Sequence, residues 1–446
     1  MSSMTRGFSA FRHPNYRLYF AGQSLSLIGT WMQIIAQAWL VLKLTNSAAD
    51  LGFVLALQSL PILFIGTFGG MFADRWPKRR LMVMTQSTAM LLAFVLGVLV
   101  STHTIQIWHV YVLATLLGVS TAIDAPARQS FVVEMVGRAD LMNAVALNSL
   151  TYNGARIVGP AVAGVLIGLV GVTSSFFING ISFLFVIGGL LLMRPDRFFR
   201  ADVAPRVSMR RSLSAGFQYV RTSAAALTLI GLVGVLGMFA FNTNVLVPLF
   251  AQNVLHVGAT GLGVLFSAMG LGSVIAGMYA AFTQKVAWSR IIVGAIGMGV
   301  AELGFAFSRS YPLSILLMLL TGLSMHTFFT SANTGIQQRV PDHLRGRVMG
   351  IYMTVNMGTM PFGNLASGGI AAAFGAPAAM AAGAVAALAG LAGIGAVILV
   401  KRSTADLRLA ADDSVSVGEG GVQSPAAEDR TMGAQRQTAT GAGRAG

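Results

Sequence analysis

The stretch Gly69-Gly70-Met71-Phe72-Ala73-Asp74-Arg75-Trp76-Pro77-Lys78-Arg79-Arg80 sets a compact group of charges between two long uncharged runs. Before it, Asp50 to Asp74 encloses one such run. After it, Arg80 to Asp124 encloses 43 uncharged residues, interrupted by the polar turn Ser101-Thr102-His103-Thr104. A helix needs about 20 apolar residues to cross roughly 30 Å of hydrocarbon. The first run therefore makes one membrane span and the second makes two, which leaves the quoted stretch as the connection between spans two and three. A solvated basic loop explains its lysine and arginines but not Asp74 or the glycines.

The same rule extends outward. Arg17 to Lys43 encloses span one. Asp140 to Arg194, interrupted by Arg156 and turning at Gly171-Val172-Thr173-Ser174, holds spans five and six. After a basic stretch from Arg194 to Arg221, residues 222–284 turn near Gln252-Asn253 and hold spans seven and eight. Residues 291–308 and 313–335 make nine and ten, and the 53 uncharged residues from Val348 to Val400 turn near Gly375-Ala376-Pro377 to make eleven and twelve. Arg138-Ala139-Asp140-Leu141-Met142-Asn143 after span four is echoed by Arg345-Gly346-Arg347-Val348-Met349-Gly350 after span ten, as parallel six-helix repeats would be. The expected protein is an all-α membrane protein with twelve transmembrane helices in two six-helix bundles. Its segments are an N-terminus 1–17, a first bundle 18–193, a linker 194–221 with an amphipathic stretch Leu213 to Val220, a second bundle 222–402 and a disordered tail 403–446, rich in Gly, Ala, Ser, Thr and Asp.

Composition agrees. Of 446 residues 55% are apolar and 10% charged, with a mean hydropathy of +0.71, whereas soluble domains keep roughly 25% charged residues. The absence of cysteine excludes disulfides, thiolate metal sites and a cysteine nucleophile. The net charge of +15 is clustered between uncharged runs, which points to anionic headgroups rather than nucleic acid. With both termini inside, the even-numbered connections collect nearly all Lys and Arg, leaving only Lys43 and Arg309 outside. This asymmetry orients the chain in an inner (plasma) membrane with cytoplasmic termini. Residues 1–17 carry Arg6, Arg12 and Arg17 without an Ala-x-Ala cleavage site, so span one is expected to stay in the protein.

Gly70, Asp74, Arg75, Lys78 and Arg79 fit the loop pattern Gly-x-x-x-Asp-Arg-x-Gly-basic-basic, with Pro77 in place of the second glycine. In this the chain resembles the major facilitator superfamily. Ile123-Asp124-Ala125-Pro126-Ala127-Arg128-Gln129, the run Asn143 to Ser149, Asn153 to Pro160 and Gly29-Thr30-Trp31-Met32-Gln33 resemble its enterobactin-exporter-like branch, and the likeness runs from about Phe11 to Val400. The resemblance implies two bundles around a central cavity and efflux of siderophores, macrolides or drug-like molecules driven by a proton gradient. It also implies that Asp74 faces the positive N-terminus of another helix while basic neighbours bind acids, holding one access state closed. In span five, Ala155-x-x-x-Gly159-Pro160-x-x-Ala163-Gly164 is similar to the antiporter motif of drug exporters, with alanine for two glycines; ordinary close helix packing is the alternative. Ala114 stands where the drug-exporter pattern of span four has an arginine.

Charges inside a bilayer are costly and mark functional positions. Asp124 and Arg128 lie four apart on one helix face and pair with each other, or Asp124 accepts Lys78 or Arg79 across the loop. Arg156, with no partner in its own segment, binds an anionic substrate or a carboxylate, or rests on helix carbonyls. Glu302 carries protons or snorkels toward the interface near Arg309. His326 titrates near physiological pH, on one of the four spans (one, four, seven and ten) that line the cavity in the resembled fold. Gln33 and Gln37 beside Trp31 and Trp39, Asn242 with Asn244, and Phe328 with Phe329 offer substrate contacts suited to a large amphipathic molecule. Interfacial anchoring and helix-to-helix hydrogen bonding are the alternatives.

No Ser/His/Asp cluster, His-x-x-x-His pair or nucleotide-binding glycine loop occurs in the chain, so neither an enzyme, a cofactor, a metal nor ATP drive is expected. The expectation is a monomeric secondary transporter in contact with lipid, exporting a small molecule in exchange for protons by alternating access. A same-fold importer (symporter) and a non-transporting membrane sensor are the rival readings.

Overall fold

The computed structural model describes residues 8–199, 209–240, 242–282 and 286–396, with the side chains of 66–75, 209–213 and 281 outside the description. The described residues are helical, without a strand. The first bundle comprises Pro14–Thr45, Ala48–Arg75, Lys78–Ser101, Ile107–Val136, Leu141–Val170 and Val172–Leu192 as spans one to six. A linker helix, Met209–Thr222, leads to span seven, which is broken into Ala224–Phe239 and Thr243–Asn253. Spans eight to ten are Gly258–Ala281, Trp288–Phe307 and Tyr311–Arg339. Span eleven is two helices, Asp342–Gly358 and Met360–Phe374, meeting at Thr359, and span twelve is Ala376–Ala396. Pro361 lies in the first turn of the second segment, where its missing N–H leaves no helical bond unmade.

Eleven spans are long and apolar enough to cross a membrane among the described residues, the two segments of span seven being counted together; the halves of span eleven are each too short. Several helices outrun the charge gaps that predict them. Span one begins at Pro14, before Arg17, and span ten runs on to Arg339. The gap measures the hydrocarbon layer, whereas helical hydrogen bonding continues into the headgroup region. Gly171 (φ 88°) and Gly375 (φ 87°) adopt the left-handed backbone that closes the shortest connections. Residues 403–446, expected to be a tail, lie outside the described residues.

The connections after spans two, four, six and ten define a basic end of the molecule; the opposite end is called the far end. Core packing differs between them. At the far end one apolar cluster draws on both bundles, uniting Met32, Leu51, Val100 and Phe176 with Phe250, Leu262, Phe266 and Met380. At the basic end there are two clusters, one confined to the first bundle around Tyr16, Phe131 and Val186, the other to the second around Leu229, Phe328 and Tyr352.

Two seams of small residues join the bundles in the far half. A Cβ on Gly263 of span eight would lie 2.5 Å from the carbonyl oxygen of Pro160 in span five. Beside it, Thr260 donates to the Gly164 carbonyl at 3.0 Å and Ser267 to the Ile157 carbonyl at 2.8 Å. In the second seam, a Cβ on Gly52 of span two would lie 2.5 Å from the carbonyl oxygen of Asn364 in span eleven. Such approach is open only to residues without a side chain, and it lets two backbones make van der Waals contact directly. Large apolar residues such as Leu169, Phe282 and Phe374 are exposed, as a lipid-facing surface requires.

Candidate functional site

A cavity of 290 Å³ lies in the first bundle toward its basic end, between spans one, four and five. Its polar lining is Tyr19, Gln23, Arg128, Gln129, Asn148, Ser149, Thr151 and Tyr152. Helical periodicity builds it: Tyr19, Gln23 and Leu27 recur every fourth residue on span one and Asn148 and Tyr152 on span five, and the same rows continue beyond the cavity lining to Trp31 and Arg156. The Tyr16 hydroxyl donates to the Asn148 side-chain oxygen at 3.0 Å and fixes that wall.

Asp124 is 4% exposed and anchors the span-four wall. Its Oδ1 accepts from Thr85 Oγ1 at 2.7 Å and Gln86 Nε2 at 3.0 Å, and its Oδ2 accepts from Arg128 Nε at 3.0 Å and from Arg128 Nη2. Lys78 instead pairs with Glu134 at 2.5 Å, and Arg79 donates to the carbonyls of Leu190 and Leu191 at 2.6 and 2.7 Å. The cross-loop bridge from Asp124 is therefore not made in this conformation, because Glu134 takes Lys78 and the end of span six takes Arg79. Gly70, Asp74 and Arg75 fall in the last turns of span two, their side chains outside the described residues.

Span five continues the site. The ring of Tyr152 meets Trp31 edge-on with centroids 5.7 Å apart, and the Arg156 guanidinium stands 5.5 Å from the Trp31 ring centroid. Arg156 is 9% exposed, and its Nε has no hydrogen-bond partner; Gln23 Oε1 is likewise buried and unpartnered. Ala155, Gly159, Pro160, Ala163 and Gly164 are buried at two contacts. A Cβ on Gly159 would lie 2.5 Å from Trp31 Cβ, while Gly164 meets span eight.

The other candidates separate from this site. Gln33 accepts from Asn179 Nδ2 at 2.5 Å, tying span one to span six, and Gln37 donates to Gln58 Oε1 at 3.1 Å, tying span one to span two. Asn242 is buried at the break in span seven and donates to the Met238 carbonyl at 2.7 Å. Glu302 is 3% exposed and its Oε1 has no partner, so it is buried within the second bundle rather than reaching the interface. His326 is half-buried, with Nε2 facing Gly277 of span eight. Thr85, Gln86, Tyr19, Gln23 and Glu134 went unnoticed in the sequence; a polar Thr-Gln pair inside an apolar span was the available signal. Among the described residues no group of three His, Asp or Glu could hold a metal.

Residues 5–416 match the family model described as transmembrane secretion effector. A staphyloferrin A transporter of Staphylococcus aureus is 26% identical over 80% of this chain and 90% of its own length. The multidrug efflux pump Tap of Mycolicibacterium fortuitum is 26% identical over 82% and 90%, and an enterobactin exporter of Escherichia coli 24% over 81% and 86%. Among solved structures, the POT family transporter PepTSo superposes with a TM-score of 0.69 at 12% identity, covering 87% of this chain and 98% of that one. The nucleoside transporter NupG gives 0.68 at 12% identity, covering 86% and 98%.

Proposed function

The chain belongs to the transmembrane secretion effector family of the major facilitator superfamily, membrane transporters rather than enzymes, and on that premise we propose that it exports drug-like or siderophore-type small molecules from the cytoplasm in exchange for protons. The observation that carries the reading is the asymmetry of the core. One apolar cluster joins the bundles at the far end, while at the basic end each bundle keeps its own core and the polar cavity lies there. Lys and Arg sort to the cytoplasmic side, so in this reading the basic end and both termini are cytoplasmic, and the arrangement is one that loads from inside. Exporters must accept substrate on that side.

Alternating access then requires the far-end seams to part and the basic end to close. The loop residues Gly70, Asp74, Arg75, Lys78 and Arg79, with Asp124 and Arg128, are the gating set in this proposal. His326 and Glu302 are the candidate proton carriers, since Asp124 is already engaged by three side chains. Names of relatives, a staphyloferrin A transporter, an enterobactin exporter and a multidrug efflux pump, support the substrate range.

The test is compound accumulation in cells with and without the protein, with and without an uncoupler, using a panel of drug-like and siderophore compounds. Lower accumulation that the uncoupler abolishes is the expected result. Higher accumulation would make the protein an importer, and binding to purified protein without any change in accumulation would make it a sensor.

A further inference from the structure

Arg156 sits at the middle of span five with a charge that no described residue neutralises. A guanidinium keeps its proton at every accessible pH, and a buried charge needs an opposite charge or full hydrogen bonding to be tolerated. Here it has neither: among the described residues it makes no ion pair and no hydrogen bond, and its Nε is buried without a partner. Among the described residues of the second bundle, the ionisable group within electrostatic reach of Arg156 is His326, which is not an anion. Contact with the Trp31 face replaces only part of the lost hydration.

The group is also held in place. Trp31 is clamped by Gly159 behind it, where a Cβ would come within 2.5 Å, and by the Tyr152 ring at its edge. A structural strut would need a carbonyl acceptor. Pro160 does free a carbonyl, that of Arg156 itself, but this oxygen faces Gly270 of span eight and takes nothing from the guanidinium. A cation over the Trp31 ring, which Tyr152 meets edge-on, with a second unpartnered polar atom, Gln23 Oε1, two turns along the same face of span one, is half of a recognition site.

We infer that Arg156 is the anchor for an anionic group, a carboxylate or comparable planar oxyanion, on a substrate whose apolar or aromatic body rests against Trp31 and Tyr152. This deepens the transporter reading, on which it rests, by naming a substrate class. The fork of guanidinium donors fits two oxygens of one planar anion, which an ammonium cannot reproduce.

The test uses the full chain in nanodiscs of uncharged lipid and a matched pair of fluorescent probes, 1-pyrenebutyrate and its neutral amide, with binding read by anisotropy and melting temperature on the same samples. The wild type is expected to bind the acid at least tenfold more tightly than the amide. Arg156→Gln should bind both equally, at the amide's affinity, and Arg156→Lys should fall between, with melting temperatures no lower than wild type. Absence of acid binding by the wild type, equal binding of acid and amide, or an acid preference that survives in Arg156→Gln overturns the inference. If Arg156→Gln melts lower, the Arg156→Lys affinities decide: wild-type acid preference there overturns the anchor role. Failure of export in the accumulation test with the acid preference intact would sink the direction of transport and leave the anion site standing.

Discussion

Gln252 and Asn46, 206 residues apart, are joined at the far end by a hydrogen bond of 3.3 Å from the glutamine side-chain nitrogen to the asparagine side-chain oxygen. The bond links span seven to the left-handed residue (φ 49°) that terminates span one, and so crosses from one bundle to the other. The Gln252 carbonyl is held in turn by the His256 ring at 3.0 Å.

The chain has no cysteine, so cysteines at positions 46 and 252 can be linked selectively by a short reducible cross-linker. Transport is expected to stop on cross-linking and to return on reduction. Undiminished transport by fully linked protein would mean that the far end does not part during the cycle.

Asp124→Asn removes the carboxylate that holds Arg128. Breaking a fully buried pair costs about 3–5 kcal/mol; Arg128 keeps 30% of its side-chain exposure, so the expected loss is smaller, about 2 kcal/mol. Adding Arg128→Gln should recover part of it. Double-mutant cycles should show Lys78 coupled to Glu134 and additive with Asp124. Coupling of Lys78 to Asp124 in the purified resting protein would reassign the bridge.

Gly322→Ala tests the contact of spans eight and ten. The new Cβ would stand 1.9 Å from the Met269 carbonyl oxygen, and overpacking of this kind costs about 1–3 kcal/mol. A lower melting temperature and yield are expected. Gly154→Ala, with nothing within 4 Å of its Cβ, should melt at or above the wild-type temperature. Equal behaviour of the two variants would refute the packing argument.

At the basic end, hydrogen bonds from Ser9 and then from His13, the latter at 2.8 Å, hold the Asp140 carboxyl below the usual carboxylate range. A depressed value in the folded state means that the stabilisation is complete above the unfolded value of about 4 and is lost as pH falls through the folded value. Hydrogen exchange of residues 8–13, corrected for intrinsic rates, should therefore be slow at neutral pH and accelerate well below pH 4. Asp140→Asn should exchange fast at both. Wild-type protection in that variant at neutral pH would show that the segment is held by other contacts.

Much of the architecture was legible because charge is scarce. Each charge-free interval maps to one membrane span or two, and the turns at Gly171 and Gly375 fall where glycine follows an apolar run. The breaks at Thr359 and around Asn242 were hidden, since they interrupt hydrogen bonding without adding charge. The site was harder to read. Pairing of Asp124 with Arg128 follows from a spacing of four, but the hydrogen bonds from Thr85 and Gln86 depend on how spans three and four meet, which no local pattern encodes. Gln33 and Gln37 look like substrate contacts along the chain, yet their partners Asn179 and Gln58 come from other helices. Polar residues in hydrocarbon must bond to something, and sequence does not say whether that is a neighbouring helix or a guest.

The joint core at the far end has an electrical meaning. Met32, Leu51, Phe250, Leu262 and Phe266 are almost wholly removed from solvent and form one plug drawn from both bundles. An ion that enters from the basic end meets hydrocarbon there. Shedding its water would cost several kcal/mol, against the ~2.3 kcal/mol that a 100 mV potential supplies per charge. In this conformation the plug is therefore expected to insulate, so that a membrane crowded with idle copies of the protein should hold its voltage.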